Sequence, residues 1–452
     1  MKKYCFIGLL CAFVLSGCSN HVDTSTPVES VNKIEAPEIE KVEEKVDEIV
    51  EEIELKEGIN EIILSDDEVT LNGVVLDQNI EQSVYVANDI VYYEEGKGLT
   101  YGKGTMLDEH SAEEAGEHKV LHINHSGTFK VSGKLTKGQI AIDLGKESKN
   151  NPKAVVNLIL DNVDINCEVA PAILFYNVFE AFPKQAVNSK TLDTSFAGAN
   201  IVIADDSINN ISGSYVARIY KPGSVVLGEN GQVIEEKKLH KYDGAIHSRR
   251  TLNINTGEKG NGVLNINAKN EGLDSEMHLT INGGVINIRS FNDCINANED
   301  GISVITINDG DITVRAVGEV GDAIDSNGDI VINGGNLLLQ ACKNIETDSA
   351  LSSRYSITKN GGSVIASSNN FEGVDNCDYM GLYFEEQQKG GIYSLIDANG
   401  QKITEFEVVP NFTNLLFSID GLESGEYVLK YNGEDLYKFR YTKGKSFYEF
   451  IE

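Results

Sequence analysis

The chain lacks tryptophan and is poor in proline and cysteine, with seven of each among its 452 residues. So little proline is not typical of a proline-rich disordered protein. The cysteines show no CxxC or Cys–His spacing of the kind that binds zinc, and they lie too far apart to indicate a disulfide framework. We therefore predict that the cysteines beyond the N-terminal region fill small apolar spaces in a core: Cys167, Cys294, Cys342 and Cys377.

Positive charge is also scarce. Lys and Arg number 38 against 70 Asp and Glu, for a formal net charge of −32. This balance argues against binding to nucleic acid and against direct attraction to anionic lipid. An anionic partner would need a local cationic patch or a bridging metal ion.

The N-terminus has the pattern of a secretion signal. Residues 1–3 (MKK) precede an apolar run over residues 4–15 that is too short to span a bilayer, and the sequence LSGC follows. This start resembles a bacterial lipoprotein signal of residues 1–17, with Cys18 as the lipidated residue. Several acyl chains on Cys18 would anchor the protein outside the cell, on the outer face of the cell membrane. A plain secretion signal is the alternative.

Residues 18–58 are polar and strongly acidic. Val42, Val46, Ile49 and Ile53 follow one another at helical spacing, so one amphipathic helix or a short coiled coil is possible. The run of like charge favours a solvated stalk that holds the following domain away from the membrane.

From residue 59 onward, short β-prone runs alternate with Gly, Asn and Asp turns, and residues 243–376 repeat themselves. An aliphatic residue within an acidic motif recurs about every 20 to 30 residues, at Ile246, Leu273, Ile295, Ile324, Ile345 and Val374. Glycine turns recur at a similar and more regular period, starting at Asn282, Asn308, Asn333 and Asn360. A period of this length with short strands predicts a solenoid.

The strand that follows each glycine turn is predicted to supply side chains to the core of that solenoid. Two sets of apolar residues align there. Because successive side chains of a strand point to opposite faces, both sets lie on one face of the sheet: Ile286, Ile312, Leu337 and Val364, then Ile288, Val314, Leu339 and Ala366. We interpret residues 59–380 as a parallel β-helix that stacks these residues, with an antiparallel sandwich as the alternative. Asn-Gly turns in residues 381–452 predict a small antiparallel β unit that covers the last coil, or else an independent binding domain.

Stacked coils would place acidic residues above one another, about 4.8 Å apart. One predicted column contains Glu271, Asp293, Asp322 and Glu372, interrupted by Lys343; the other contains His247, Asp274, Asn296, Asp325, Glu346 and Asp375. Two carboxylates about 5 Å apart repel by roughly 3 kcal/mol at an effective dielectric near 20. Proton uptake would relieve the repulsion, and Ca²⁺, with about six to eight oxygen ligands, would relieve it better. Turn chemistry alone is the alternative, because turns favour Asp and Asn anyway.

Three segments of the chain resemble the carbohydrate-binding, polysaccharide-lyase-like β-helix proteins of cellulolytic clostridia. They are the entry segment around SGTFKVSGKL, coils such as EGLDSEMHLTINGGVINI, and the closing segment NLLFSIDGLESGEYVLKYNGE. The resemblance implies a right-handed parallel β-helix, bound calcium, and binding of cellulose or acidic sugars such as polygalacturonate without demonstrated catalysis. The acidic positions that match the family's repeating motif are Asp243, Glu271, Asp274, Asp293, Asp322 and Asp325, whereas His247, Asn296 and Lys343 depart from it.

The predicted function is carbohydrate binding at the cell surface by a monomer, with no catalytic residue assigned. The absence of tryptophan weakens the case for cellulose, which usually meets a planar row of aromatic rings. Arg289 and Arg315 share one predicted column, and guanidinium groups suit sugar carboxylates; Lys343 is a third candidate contact. A calcium-dependent polysaccharide lyase is the alternative, although no base with a partner is evident. A non-catalytic surface scaffold or adhesin is the further alternative.

Overall fold

The computed structural model describes residues 55–90, 112–182, 192–216, 226–227, 233–235, 242–341, 349–370 and 379–451. These ranges belong to one compact unit, Glu52–Glu452. Several residues discussed above lie outside the described ranges, namely Cys18 with the acidic stalk, Cys342, Lys343, Glu346, Glu372, Asp375 and Cys377. In the part of the chain that is described, no helix is long and apolar enough to cross a membrane.

Strands make up nearly all of the regular structure in the described ranges. The helical elements there are α1 (Ala112–Gly116) and a 3₁₀ turn (Lys146–Asn150). The first strands are β1 (Ile59–Leu64), β2 (Thr70–Leu71), β3 (Val74–Val75), β4 (Val84–Ala87), β5 (Lys119–Ile123), β6 (Gly127–Leu135), β7 (Gly138–Asp143), β8 (Val156–Asn166), β9 (Ile173–Asn177), β10 (Ala199–Ile203), β11 (Ile208–Gly213), β12 (Val226–Leu227) and β13 (Val233–Glu235).

The repeating region contains β14 (Gly244–Ser248), β15 (Leu252–Thr256), β16 (Val263–Ala268), β17 (Glu271–Ser275), β18 (Leu279–Ile281), β19 (Val285–Ser290), β20 (Ile295–Ala297), β21 (Val304–Ile307), β22 (Asp311–Ala316), β23 (Ile324–Ser326), β24 (Asp329–Ile332), β25 (Asn336–Ala341), β26 (Ser352–Ser353), β27 (Ser356–Lys359) and β28 (Ser363–Ser368). The last strands are β29 (Met380–Gln388), β30 (Gly391–Asp397), β31 (Lys402–Val408), β32 (Phe412–Ser418), β33 (Gly425–Tyr431), β34 (Glu434–Tyr441) and β35 (Phe447–Ile451).

Successive repeats pair with one another in parallel. Each repeat contributes one strand to a smaller, nine-stranded sheet and two strands to a larger, twenty-stranded sheet, counted over the described residues. In the smaller sheet, β17, β20, β23 and β26 are consecutive neighbours. In the larger sheet, β18, β21, β24 and β27 follow one another, as do β19, β22, β25 and β28. The all-β prediction is confirmed, and the parallel pairing rules out an antiparallel sandwich for this region.

The predicted core columns are present. Ile286, Ile312, Leu337 and Val364 are paired from strand to strand and are at most 3% exposed. Full burial of one such side chain contributes about 1.5–3 kcal/mol, so each added repeat is stabilised mainly by its neighbours' apolar surface. Cys167 and Cys294 are free, buried cysteines of the same core, as predicted.

The predicted repeat frame is wrong after Ile324. Strand β26 pairs with β23 so that Asp325 faces Ser352. This register places Leu351, not Ile345, beside Ile324. The interval from Ile324 to Leu351 equals the interval between the glycine turns at residues 333 and 360, whereas Ile345 comes too early. Leu351 is 3% exposed, so its burial, together with the backbone ladder, sets the register.

The predictions for Lys343 and Glu346 fall outside the described residues. In the described part of the next repeat, the backbone N–H of Ser349 donates to Oδ1 of Asp322, and Ser352 pairs with Asp325. Hydrogen bonding between repeats, which a linear motif does not report, decides which residues align.

An asparagine ladder joins the repeats at the glycine turns. The side-chain amides of Asn282, Asn308, Asn333 and Asn360 each donate to Oδ1 of the preceding asparagine, starting at Asn255, with N–O distances of 2.7–2.8 Å. The turns pack closely: Gly335 has φ +88°, and a Cβ there would lie 2.7 Å from the carbonyl oxygen of Gly310. A side chain at this position would therefore push the two neighbouring glycine turns apart.

Antiparallel strands flank the parallel region. After it, β28 pairs antiparallel with β32, and β31, β30, β33 and β34 form a four-stranded antiparallel sheet. We call residues 379–451 the cap. Its apolar cluster includes Tyr393, Phe406 and Phe417 and packs on Leu338 and Ile365, which point outward from the larger sheet. The antiparallel character predicted for this segment is thus present, and the cap covers part of the outer side of the parallel region.

Candidate functional site

Acidic residues from three repeats align at one corner of the smaller sheet. Glu271 begins β17, Asp293 precedes β20 and Asp322 precedes β23, and the strand register places the three in one column, as predicted. The backbone N–H of Asp322 donates to Oδ1 of Asp293 at 2.7 Å, and that of Ser349 donates to Oδ1 of Asp322 at 2.6 Å. The carboxylates of Asp293 and Asp322 therefore each hold the start of the next repeat.

We call Glu271, Asp293 and Asp322 the acidic corner. Their negative charges repel one another. Burial raises the pKa of Asp293 well above its ordinary range, and the carboxylates of Glu271 and Asp325 raise it further. Burial also raises the pKa of Asp322 to about 8, with further contributions from Asp293 and Asp325. Carboxylates in this situation attract either protons or a cation.

The second column contains a buried histidine–aspartate pair. Strand register aligns His247, Asp274, Asn296 and Asp325, as predicted. Nδ1 of His247 lies 2.6 Å from Oδ2 of Asp274, and neither side chain has exposed surface. The amide of Asn298 donates to the other oxygen, Oδ1 of Asp274, at 2.6 Å. Because both of its oxygens are already bonded within the protein, Asp274 is a poorer cation ligand than the sequence indicates.

Asn296 adds a neutral oxygen beside the acidic corner. It is 4% exposed, and its Oδ1 accepts no hydrogen bond from the described residues. Asp243 lies one position outside the column, because Gly244 pairs with Glu271. Among the described residues, no three side chains of His, Cys, Asp or Glu converge closely enough to hold a metal ion. A cation here would therefore need amide or main-chain oxygens in addition to carboxylates.

A polar surface covers three adjacent strands of the larger sheet, on its outward side. We call it the open face, and it consists of the outward residues of β16, β19 and β22: Asn265, Asn267, Asn287, Arg289, Thr313 and Arg315. Asn287 donates from Nδ2 to Oδ1 of Asn265 at 2.9 Å. Arg289 donates from Nη1 to Oδ1 of Asn267 at 3.3 Å. These contacts between strands order the side chains of the face.

The predicted arginine column lies on this face. Arg289 and Arg315 are direct neighbours across β19 and β22, about 4.8 Å apart along the stack at the backbone. The guanidinium of Arg289 also lies 4.8 Å from the ring centroid of Phe291, which is 48% exposed. No sequence motif singles out Phe291, although its position two residues after Arg289 was the available signal. Paired guanidinium groups beside an exposed ring suit a sugar that carries a carboxylate.

The cap bounds the open face on one side. Gln340 follows Arg315 in register and has no exposed surface. Its Nε2 donates to the carbonyl oxygen of Glu407 at 2.7 Å, and its Oε1 accepts from the N–H of Val409 at 3.1 Å. Oε2 of Glu407 lies 3.5 Å from Nη2 of Arg315. The face is therefore open toward β16 and closed beyond β22.

A second polar cluster surrounds His247. Tyr242 packs edge-on against its ring at 5.3 Å, and the guanidinium of Arg249 lies 4.7 Å from the ring centroid of Tyr176. Oε1 of Glu276 lies 3.8 Å from Nε of Arg249 and 3.9 Å from Nε2 of His247. His247 is thus a histidine with an aspartate partner, and the sequence predicts the alignment of the two residues but not their contact. Its ring is fully buried, so a substrate does not reach it in this arrangement.

The parallel pairing of successive all-β repeats, with a polar open face on one sheet, defines this chain as a repeat protein built of stacked strands. The chain belongs to the family of carbohydrate-binding domain-containing proteins, whose model matches residues 117–378, more than half of its length. Among solved structures it is similar to a polysaccharide lyase-like protein from C. thermocellum, determined as a gadolinium derivative, with 18% identity over 67% of this chain and 92% of that chain and a TM-score of 0.38. The resemblance inferred from the sequence is confirmed. No curated protein sequence matches the chain significantly.

Proposed function

We propose that this protein binds an acidic polysaccharide, such as polygalacturonate, on the open face. The observation that carries the proposal is the direct pairing of Arg289 and Arg315 on adjacent strands. Guanidinium groups bind carboxylates through paired, charge-assisted hydrogen bonds. With a net charge of −32 on the chain, an acidic ligand needs such a local cationic pair. The exposed ring of Phe291 adds apolar contact area beside Arg289.

The arrangement of the repeats proposed here is a right-handed parallel β-helix. Its support is the recurrence of the same three strands, paired in parallel and in the same order, from one repeat to the next. Connections between parallel strands are almost always right-handed. In such a helix the open face extends along the stack, so that an extended polysaccharide lying across the strands meets a new strand about every 4.8 Å.

The acidic corner is proposed to bind one calcium ion. The proposed ligands are the carboxylates of Asp293 and Asp322 on adjacent repeats, with Oδ1 of Asn296 and main-chain oxygens as neutral ligands, while Glu271 and Asp325 contribute negative charge nearby. The donor set fits Ca²⁺ because it consists of oxygen atoms only, and the opposed carboxylates favour a cation that neutralises them. Asp274 is left out because His247 and Asn298 occupy its oxygens. Bound calcium would supply positive charge between two consecutive repeats.

Calcium is expected to stabilise the folded chain against heat. At about one hundred times its dissociation constant, it would add about 2.7 kcal/mol to the free energy of unfolding. Thermal unfolding with calcium and with a chelator measures this, and Asp293→Asn should abolish most of the difference. Asp300→Asn is the matched control, because that side chain is 80% exposed. An equal response of wild type and Asp293→Asn to calcium would show that calcium does not bind at the acidic corner.

The lipoprotein-like start supports anchoring through Cys18 on the outer face of the cell membrane. Cys18→Ala is expected to abolish incorporation of labelled fatty acid and to release the protein from the membrane fraction. Retention of both properties in the variant would refute lipidation at Cys18.

Titration calorimetry of the chain with polygalacturonate tests the binding function. Arg289→Gln and Arg315→Gln are each expected to weaken binding by about 5–30-fold, because each removes charge-assisted hydrogen bonds. Arg354→Gln is the matched control, since Arg354 is an exposed arginine away from the open face, near Asp300. Wild-type affinity in both open-face variants would refute this site.

We propose that binding occurs without catalysis. A lyase needs a base that reaches the substrate. Among the described residues, His247 is partnered by Asp274 and is fully buried, and His122 is partnered by Asp89 and is 6% exposed. Incubation with polygalacturonate, followed by ultraviolet absorbance, should therefore give no unsaturated product. Accumulation of such a product would establish the lyase instead. Absence of both binding and product would favour the third hypothesis, a non-catalytic surface scaffold.

A further inference from the structure

The two arginines of the open face have different surroundings. The guanidinium of Arg289 contacts the amide oxygen of Asn267 and the ring of Phe291, both neutral partners. The guanidinium of Arg315 instead meets a carboxylate of the cap, with Oε2 of Glu407 at 3.5 Å from Nη2. Only Arg315 therefore already faces the kind of group that an acidic sugar would present.

The contact between Arg315 and Glu407 is incomplete. Arginine binds a carboxylate best through two parallel hydrogen bonds, whereas here one long contact to Nη2 is made. Nε of Arg315 has no hydrogen-bond partner among the described residues. The side chain of Glu407 is 64% exposed, so water competes with the pair and the contact is weak. Arg315 thus makes one long contact to Glu407, and although its Nε is buried, its side chain as a whole is 31% exposed.

The position of Glu407 is nevertheless held by the fold. Gln340, the strand neighbour of Arg315, bonds to the carbonyl oxygen of Glu407 and to the N–H of Val409. These two bonds attach β31 to the larger sheet directly beside the arginine column. They involve the backbone of Glu407, so that they remain when its side chain is changed.

We propose that Glu407 acts as an internal competitor at the closed end of the open face, where its carboxylate takes the place of a sugar carboxylate on Arg315. This inference rests on the proposed binding of an acidic polysaccharide. An acidic chain that lies across the strands ends its contact at Arg315, because the cap covers the next position in the column. To use Arg315 fully, the ligand must displace Glu407 and approach its charge. Glu407 therefore lowers affinity for acidic chains and leaves affinity for neutral ones unchanged.

The test is calorimetric titration of wild type, Glu407→Gln and Glu405→Gln with polygalacturonate and with cello-oligosaccharide. Glu405 is the matched control, because it lies on the same strand two residues away and pairs with Lys402 rather than with Arg315. Glu407→Gln is expected to bind polygalacturonate about two- to fivefold more tightly than Glu405→Gln, as for loss of a weak exposed ion pair. The gain should shrink as salt is added and should vanish in the Arg315→Gln background.

Each outcome decides the inference. If wild type binds polygalacturonate and the two glutamine variants bind alike, Glu407 is not a competitor, while the proposed function stands. If Glu407→Gln binds and wild type does not, the competition is complete and the inference is upheld. If neither binds, both the inference and the proposed function fail. Thermal unfolding of each variant verifies that the cap is still folded.

Discussion

Replacing Asp322 with asparagine is expected to stabilise the protein at alkaline pH when calcium is withheld. Burial, followed by Asp293 and Asp325, raises the pKa of Asp322 from its ordinary value of 3.8 to about 8. A carboxyl whose pKa rises on folding stabilises the folded state below its ordinary pKa, and this contribution is lost as pH rises through the folded value. Asparagine carries no charge, and its Oδ1 can still accept the hydrogen bond from the N–H of Ser349.

The change in the pKa of Asp322 bounds the size of the effect. A rise from 3.8 to about 8 corresponds to on the order of 6 kcal/mol at most. Burial is the largest contribution, and a single carboxylate about 5 Å away could add up to roughly 3 kcal/mol at an effective dielectric near 20. We therefore expect Asp322→Asn to exceed wild type in free energy of unfolding by about 2–4 kcal/mol above pH 8, and to match it within about 1 kcal/mol near pH 4.

Urea unfolding followed by circular dichroism, at several pH values and with a chelator, measures this difference. Burial lowers the pKa values of His247 and His278 to about 4. Both proteins therefore lose stability as pH falls from 6.5 toward 4, and this loss cancels in the comparison. Asp300→Asn, which removes an exposed carboxylate, should change stability by no more than about 0.5 kcal/mol. Parallel curves of stability against pH for wild type and Asp322→Asn would refute the electrostatic account of the acidic corner.

Three further predictions concern the fold. Gln340→Ala removes both hydrogen bonds to β31 and should cost about 1–3 kcal/mol, with faster amide hydrogen exchange in the cap; unchanged exchange there would contradict it. Asn308→Ala interrupts two exposed ladder bonds, so we expect a loss of about 1 kcal/mol in urea unfolding, and a loss above about 3 kcal/mol would be inconsistent with their exposure. Ile295→Ala empties a fully buried position and should cost about 2–5 kcal/mol by the same assay; a cost below about 1 kcal/mol would mean that the site is not packed.

Much of the repeating architecture was predictable, since it depends on patterns that act over a few residues. Alternation along a strand assigns Ile286 and Ile288 to one face, and the asparagine–glycine turns mark where each repeat bends. The predicted alignment failed after Ile324, because strand β26 pairs with β23 in a register that places Leu351 beside Ile324. The interval between the turns at residues 333 and 360 matches the interval from Ile324 to Leu351, and this agreement was the signal that favoured Leu351.

The candidate site was predictable in position and less so in its contacts. The alignment of Arg289 with Arg315, and of Asp293 with Asp322, followed from the repeat period and is present in the register. The bonding state of each group did not follow, because hydrogen bonds form between repeats and a periodic pattern does not specify their partners. Asp274, which the sequence offers as a cation ligand, is bonded through both of its oxygens.

Composition, strand alternation and turn residues, all readable along the chain, were sufficient for the all-β class, the stacking of repeats and a cationic pair on an acidic protein. Folding in three dimensions decided the rest. It brought Glu407 beside Arg315 across 92 positions of sequence, buried His247 against Asp274, and chose Leu351 over Ile345. These outcomes depend on hydrogen bonding and burial between segments far apart in the chain, where local preferences carry no information.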